Sequence, residues 1–448
     1  MAQRILSRRS FLLGTGGVAS AALLAACVAP TAPATSTGSE AAPMTDSLIE
    51  IEYWHRSGGD YLTLLETLAG EFSEQSEGTI KVTSLNQGNI AELNQKVRAA
   101  AAGGGMPGAL MADDYDVTQY VASDILVALD EYIDDPEYGL SEEQIADILP
   151  NQFNRHKLDI YDGRNMAFTQ GFSGFTTYWN VDATQKLGME RPPALWTEFP
   201  DYGRALSEAN EGKPVWLISG AGDRFISTML TSGASWLKEG GEESNFDAPE
   251  ALQVMTWWRE LSDEGLLAVT GDARDLFMAN ENLHYMDSSG NVSRFNASLE
   301  GFEWDAGLPP QYTDAPAPLT EMYGPINTIP VTDADKQMAG WRWISWLIMN
   351  PEVHSRMVNV SNYFPSTFSA RETAMSQETY ANNPTFAKLL EELAPNAQIL
   401  APSAALPQVR GEITANVVNE VLIGQLSPEE GVQKLKAEAD AAIRNSTL

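Results

Sequence analysis

Apolar and polar positions alternate over Ile49–Trp54 (IEIEYW), the two-residue period of a strand with one face on a core. Leu65, Leu68 and Phe72 then recur at helical spacing, and Ile80–Leu85 returns to a strand pattern. An alanine-rich helix is predicted over Ile90–Ala102, stopped by Gly103, Gly104, Gly105 and Pro107. Ala109–Ala112 reads as a third strand and Val117–Ser123 as a further helix. Alternation of strand and helix predicts a mostly parallel sheet covered on both faces. Farther on, Phe175–Asn180 and Val215–Ser219 are strand candidates, and Ala251–Asp263, Lys336–Asn350 and Pro428–Arg444 are helical. No fixed period links these segments, so a solenoid is excluded. Trp257, Trp258, Trp341, Trp343 and Trp346 lie on two of the helices, where large aromatics serve packing.

Ahead of this body the pattern changes twice. Arg4, Arg8 and Arg9 precede an apolar run from Phe11 to Leu24, which ends in Ala25, Ala26 and Cys27. The run is short and broken by Gly14, Gly16 and Gly17, the order of an export signal rather than a spanning helix. SRRSFLL is similar to a twin-arginine signal, and LAAC resembles a lipobox. Residues 1–26 are therefore expected to be a twin-arginine lipoprotein signal peptide, with Cys27 the site of lipidation. Residues 27–47, rich in Pro, Ala, Thr and Ser, are expected to form a disordered tether with a span of ~25 Å.

Cys27 is the single cysteine, so no disulfide can form within the chain. Stability must come from a large core, and a body longer than ~300 residues divides into lobes. The net charge of −33 argues against nucleic acid as a partner, and it disfavours anionic ligands unless the site is locally basic. Trp341–Met349 is too short to span a membrane and contains Arg342.

The ordered segments, taken together, carry a resemblance. IEIEYWH from Ile49, EFSEQSEGTIKV from Glu71 and ALMADDYDVTQYVASDILVALDEYI from Ala109 come first. DGRNMAFTQGFSGFTTYWNVDATQKLG from Asp162, FDAPEALQVMTWWRELSDEGLL from Phe246 and DLFMANENLHYMDSSGN from Asp275 follow. GWRWISWLIMNPEVHSRM, NYFPST and the closing IGQLSPEEGVQKLKAEADAAI complete the series. In this order they resemble the family 1 extracellular solute-binding proteins of ABC importers, which include maltose-, oligosaccharide- and glycerol-3-phosphate-binding proteins. The resemblance implies a periplasmic-binding-protein-like α/β fold, two α/β lobes with a ligand cleft between them and a hinge of crossover segments. Lobe 1 would hold 48–172 and 319–362, and lobe 2 would hold 173–318 and 363–448. A monomer without cofactor or metal is implied, lipid-anchored on the outer face of the cell membrane. It would bind a small solute, a sugar foremost, and dock on ABC permease subunits.

A sugar offers C–H faces that stack on aromatics and hydroxyls that need convergent donors and acceptors. Trp54, at the carboxyl end of the first strand, could stack on a sugar ring or pack in the core. Asp114 stands where the family places a ligand-binding acid, between Asp113 and Asp116, which also suit a solvated loop or helix cap. Tyr115 follows it. Ser173, Ser288 and Ser289 match ligand-contacting positions of the glycerol-3-phosphate branch, or serve as turn residues. Tyr323, Gly324 and Tyr363 fall near the expected crossovers. Arg410 in ALPQVRGEI matches the arginine that meets phosphate in that branch, and its fork equally suits hydroxyls or a structural carboxylate. Other matches to the branch fail. Ile90 stands for its cleft tyrosine, and Asp223, Arg224 and Phe225 replace its tryptophan platform. A carbohydrate is thus the expected ligand, with glycerol-3-phosphate or a glycerophosphodiester as the alternative.

Two other functional classes fit the sequence less well. A secreted glycoside hydrolase needs two carboxylates at a set separation, which 61 acids supply by accident. SGAGD and DSSGN lack the spacing of a nucleophile elbow, and His55, His156, His284 and His354 form no zinc motif. An adhesin would share the anchor and the acidity but has no use for a two-lobed clamp. Neither class is expected, and no catalytic residue is assigned.

Overall fold

The computed structural model describes residues 48–312 and 318–446; the leader, Cys27 and the tether lie outside the described residues. Two five-stranded sheets organise the chain. In the first, strand Ile49–His55 lies between Ile80–Asn86 and Ala109–Ala112, parallel to both. Ile326–Thr328 then pairs antiparallel with Ala109–Ala112 and with the edge strand Phe168–Thr169. The strand period is visible in the burial: Ile51, Tyr53 and His55 point inward while Glu50 and Glu52 face out. Helices 59–75 and 334–349 cover one face through Leu65, Leu68, Phe72, Trp341 and Trp343. Helix 90–103 closes the other through Leu93 and Val97. Its start is fixed by a reciprocal cap, Asn89 with Glu92, of a type that stabilises by about 1 kcal/mol.

The second sheet departs from the mostly parallel arrangement expected from strand–helix alternation. Its central strand, Ser173–Asn180, is buried along its whole length. It pairs antiparallel with His284–Ser288 on one edge, and with Trp304–Gly307 and Thr320–Tyr323 on the other. Only Ala397–Gln398 is added parallel. The partners come from distant parts of the chain, so no local βαβ unit dictates their direction. The expected strand near Val215 is found as Trp216–Ile218, in a separate parallel pair with Leu267–Val269.

The chain passes between the two sheets at Gln170–Phe172 and again at Gly324–Pro325, and Phe172 pairs with Phe364 beside them. These passages touch. A Cβ on Gly324 (φ +136°) would stand 2.5 Å from the Gly171 carbonyl, so only glycine lets the crossovers lie together. Thr320–Tyr323, within the stretch 319–362 that the resemblance assigns to lobe 1, is hydrogen-bonded into the second sheet. Among the described residues no helix is long and apolar enough to cross a membrane.

Candidate ligand-binding cleft

Between the sheets lies a cavity of about 350 Å³, walled by Ile90 and Asp113–Tyr115 on one side. Asp223, Leu406, Pro407 and Arg410 form the other side, and Glu321–Gly324 form the floor. It adjoins a more open space of about 800 Å³ that shares Ile90, Tyr115 and Pro407 and extends to Asn94 and Gln119. Open α/β sheets hold ligands beyond the carboxyl ends of their strands, and Asp113 follows strand Ala109–Ala112 directly.

The first wall begins a helix. Asp114 occupies the first turn of helix Asp114–Ala122, after Asp113 as its cap. Arg155 grips Asp114 with two nearly parallel bonds, 2.7 Å from Nε and 2.6 Å from Nη2, and donates a third at 3.1 Å to the Gly324 carbonyl. His156 lies 2.8 Å from the same carboxylate. Burial disfavours charge on Asp114, but Arg155 and His156 outweigh it and hold the carboxyl at about 2. Arg56 donates to Asp113 Oδ1 at 2.6 Å. Asp113 in turn sits near Asp116, whose carboxyl is pushed up to about 7 by burial and then by Asp113.

The second wall gathers charges far apart in sequence. Arg410 donates to Asp223 and, at 2.6 Å, to Glu321 Oε1. Glu321 also accepts from Ser227 and, at 3.1 Å, from the Tyr323 hydroxyl. Arg224 donates to Asp287 and, at 3.1 Å, to Tyr323, with its guanidinium 5.3 Å from the Phe175 ring. Burial opposes charge on Arg410, but Glu321 and Asp223 prevail and hold it protonated. The arginine rides on a π-helical turn, Val409–Thr414. Gly222 admits that turn, because a Cβ there would meet the Arg410 carbonyl at 2.0 Å.

Five residues predicted from the sequence thus meet at one cavity: Asp114, Tyr115, Tyr323, Gly324 and Arg410. Arg224 stands one contact behind them. The others lie elsewhere. Trp54 packs on the cluster of Leu93, Val97 and Leu110 and donates to Glu52 at 2.7 Å. Phe225 is fully buried, edge-on to Trp258 at 5.6 Å, because its helix turns that side to the core. Ser288 donates to Ser173 at 3.1 Å, and Ser289 accepts from the Gly174 amide at 3.0 Å, so these hydroxyls tie strands together. Tyr363 lies beside Arg56, close to Asp113, but does not itself line the cavity. Sequence reasoning missed Glu321, Asp287 and Arg155. Glu321 had one signal, an acid inside an otherwise buried strand, TEMY.

The model of the bacterial extracellular solute-binding proteins matches residues 67–388. The chain belongs to this family. The solute-binding protein is 24% identical over 421 residues to the sn-glycerol-3-phosphate-binding periplasmic protein UgpB of Rhizobium meliloti (strain 1021), covering 88% of this chain and 94% of that one. Its fold is similar to that of the cyclic alpha-maltosyl-1,6-maltose binding protein from Arthrobacter globiformis, with a TM-score of 0.77 at 17% identity over 89% and 100% of the two chains. It is likewise similar to UgpB from Mycobacterium tuberculosis, solved with glycerophosphocholine, with a TM-score of 0.75 at 20% identity over 89% and 99%.

Proposed function

We propose that this solute-binding protein captures a carbohydrate between its two sheets and delivers it to the permease subunits of an ABC importer, without catalysis. The observation that carries the reading is the state of the guanidiniums at the cavity: Arg410 is held by two carboxylates and Arg224 by one. A phosphate bound at either guanidinium would stand beside these carboxylates, like charge against like. A sugar hydroxyl can add to such a pair, accepting from a guanidinium or donating to a carboxylate in a charge-assisted bond. The Tyr115 and Tyr323 rings supply apolar surface for ring C–H faces.

In this reading the body is a clamp of two lobes, with Gln170–Phe172, Gly324–Pro325 and the Phe364 region as its hinge. The first lobe takes up again at Gly324, where the chain leaves the second sheet. Closure follows ligand because only the closed state contacts it from both walls. Export by the twin-arginine route, acylation of Cys27, attachment to the outer face of the membrane and a monomeric state complete the proposal. No cofactor is required.

A thermal-shift panel tests the ligand class on the full chain. It sets neutral mono- and oligosaccharides and polyols against glycerol-3-phosphate and glycerophosphodiesters. A ligand at a hundred times its Kd adds ~2.7 kcal/mol of stability. Stabilisation by a saccharide supports the reading. Stabilisation by phosphates alone transfers the same role to the second reading, which rests on Arg410 at the cavity and on the names of the UgpB relatives.

A further inference from the structure

The cavity between the walls adjoins a space more than twice as large, about 800 Å³ against about 350 Å³. Ile90, Tyr115 and Pro407 border both, so a ligand seated in the inner cavity can continue past Tyr115 into the outer space. Charge is laid out unequally along that path. The inner cavity is lined by four carboxylates, Asp113, Asp114, Asp223 and Glu321, and by one guanidinium, Arg410. The outer space is lined by two guanidiniums, Arg56 and Arg98, and by one carboxylate, Asp116.

The two arginines of the outer space differ in what they already hold. Arg56 donates to Asp113 at 2.6 Å. Arg98 is exposed on helix 90–103 and forms no ion pair among the described residues. Its neighbours one helical turn away, Asn94, Gln95, Ala101 and Ala102, carry no charge. The one acid of this space is partly silenced: Asp116 accepts from Asn94 at 2.7 Å and from the Asp113 amide at 3.2 Å, and burial, then Asp113, pushes its carboxyl up to about 7. In a chain of net charge −33, this end of the cleft is the locally basic one. An uncommitted guanidinium fork suits a carboxylate or a phosphate. The singly charged carboxylate adds less repulsion against the four inner acids than a dianionic phosphate does.

We propose that the ligand of this cleft is an acidic saccharide of two or more units, with hydroxyls in the inner cavity and a carboxylate at Arg98 in the outer space. The proposal rests on the carbohydrate reading above and narrows it.

Isothermal titration of the full chain with matched disaccharides tests it. The probes are digalacturonate and cellobiouronate, their neutral counterparts galactobiose and cellobiose, and glycerol-3-phosphate. The expected result is that an acidic disaccharide binds about fivefold tighter than its neutral counterpart. Arg98→Gln is expected to erase that preference while changing neutral binding less than twofold. The wild-type-to-variant ratio for the acidic probe should shrink as salt rises from 0.01 M to 0.1 M, where the screening length falls from ~30 Å to ~10 Å. The wild-type panel decides the matter even if the variant does not fold. Equal or tighter binding of the neutral counterparts, or an equal loss of both kinds in Arg98→Gln, overturns the acidic ligand and leaves the carbohydrate reading standing. Binding of glycerol-3-phosphate with no saccharide overturns both, as does a panel in which nothing binds.

Discussion

The two walls of the cavity solve the same problem, holding charge in a cleft, with different parts. On the first wall the acids sit in one run of sequence, Asp113–Asp116, and their cations come from neighbouring segments of the first sheet's own body. On the second wall Asp223, Asp287, Glu321 and Arg410 are drawn from four separate segments and meet only in the finished fold. The first wall is a local anchor. The second is a net that depends on every segment arriving, so damage to it should be felt most widely.

Glu321→Ala breaks the net at its most connected member, whose carboxylate is almost wholly buried and accepts from Arg410, Ser227 and Tyr323. Removing one partner of a buried ion pair costs about 3–5 kcal/mol, to be read from the midpoint of denaturant unfolding. Arg155→Ala on the first wall is expected to cost less, about 3 kcal/mol, because Asp114 keeps His156 and some exposure. An equal or larger loss there would reverse the ranking of the walls.

Acid titration sharpens the comparison. The Asp114 carboxyl lies at about 2 in the folded chain against an ordinary 3.8, so the unfolded state binds its proton first as pH falls. Its contribution, about 2 kcal/mol, is fully present above pH ~4 and is lost as pH drops toward 2. The stability gap between the protein and its Asp114→Asn variant should therefore close over that interval. A gap that stays constant would show that the carboxylate is not tuned by its partners.

The smallest effect concerns a residue outside both walls. Trp54→Ala should lower stability by about 1–2 kcal/mol through lost packing while leaving ligand affinity within about twofold. A tenfold loss of affinity would return Trp54 to the binding surface.

How much of this was legible depended on the range over which each signal acts. The first sheet was readable because Ile49–Trp54 and Ile80–Leu85 carry local periodicity, and because Ala109–Ala112 is a short apolar run set off by the glycines and proline before it. In the second sheet the strand Ser173–Asn180 was found as well, but its antiparallel pairing was not, because its partners come from distant parts of the chain and nothing local sets their direction. Asp114 and Arg410 were found through family resemblance, but their roles as partners of Arg155 and Glu321 were invisible, because pairings across 41 and 89 positions leave no mark in spacing. Phe225 illustrates the converse: its place in the segment that replaces the family's tryptophan platform suggested a role at the site, and one helical step of about 100° from Arg224 sent it into the core.

The central claim is that ligand lies between the two walls and contacts both. Hydrogen exchange of the full chain, with and without a saccharide that stabilises it, tests this most directly. The account predicts new amide protection at residues 113–117 on one wall together with 221–225 and 406–411 on the other. Protection confined to one wall, or to a surface remote from the cavity, would contradict it.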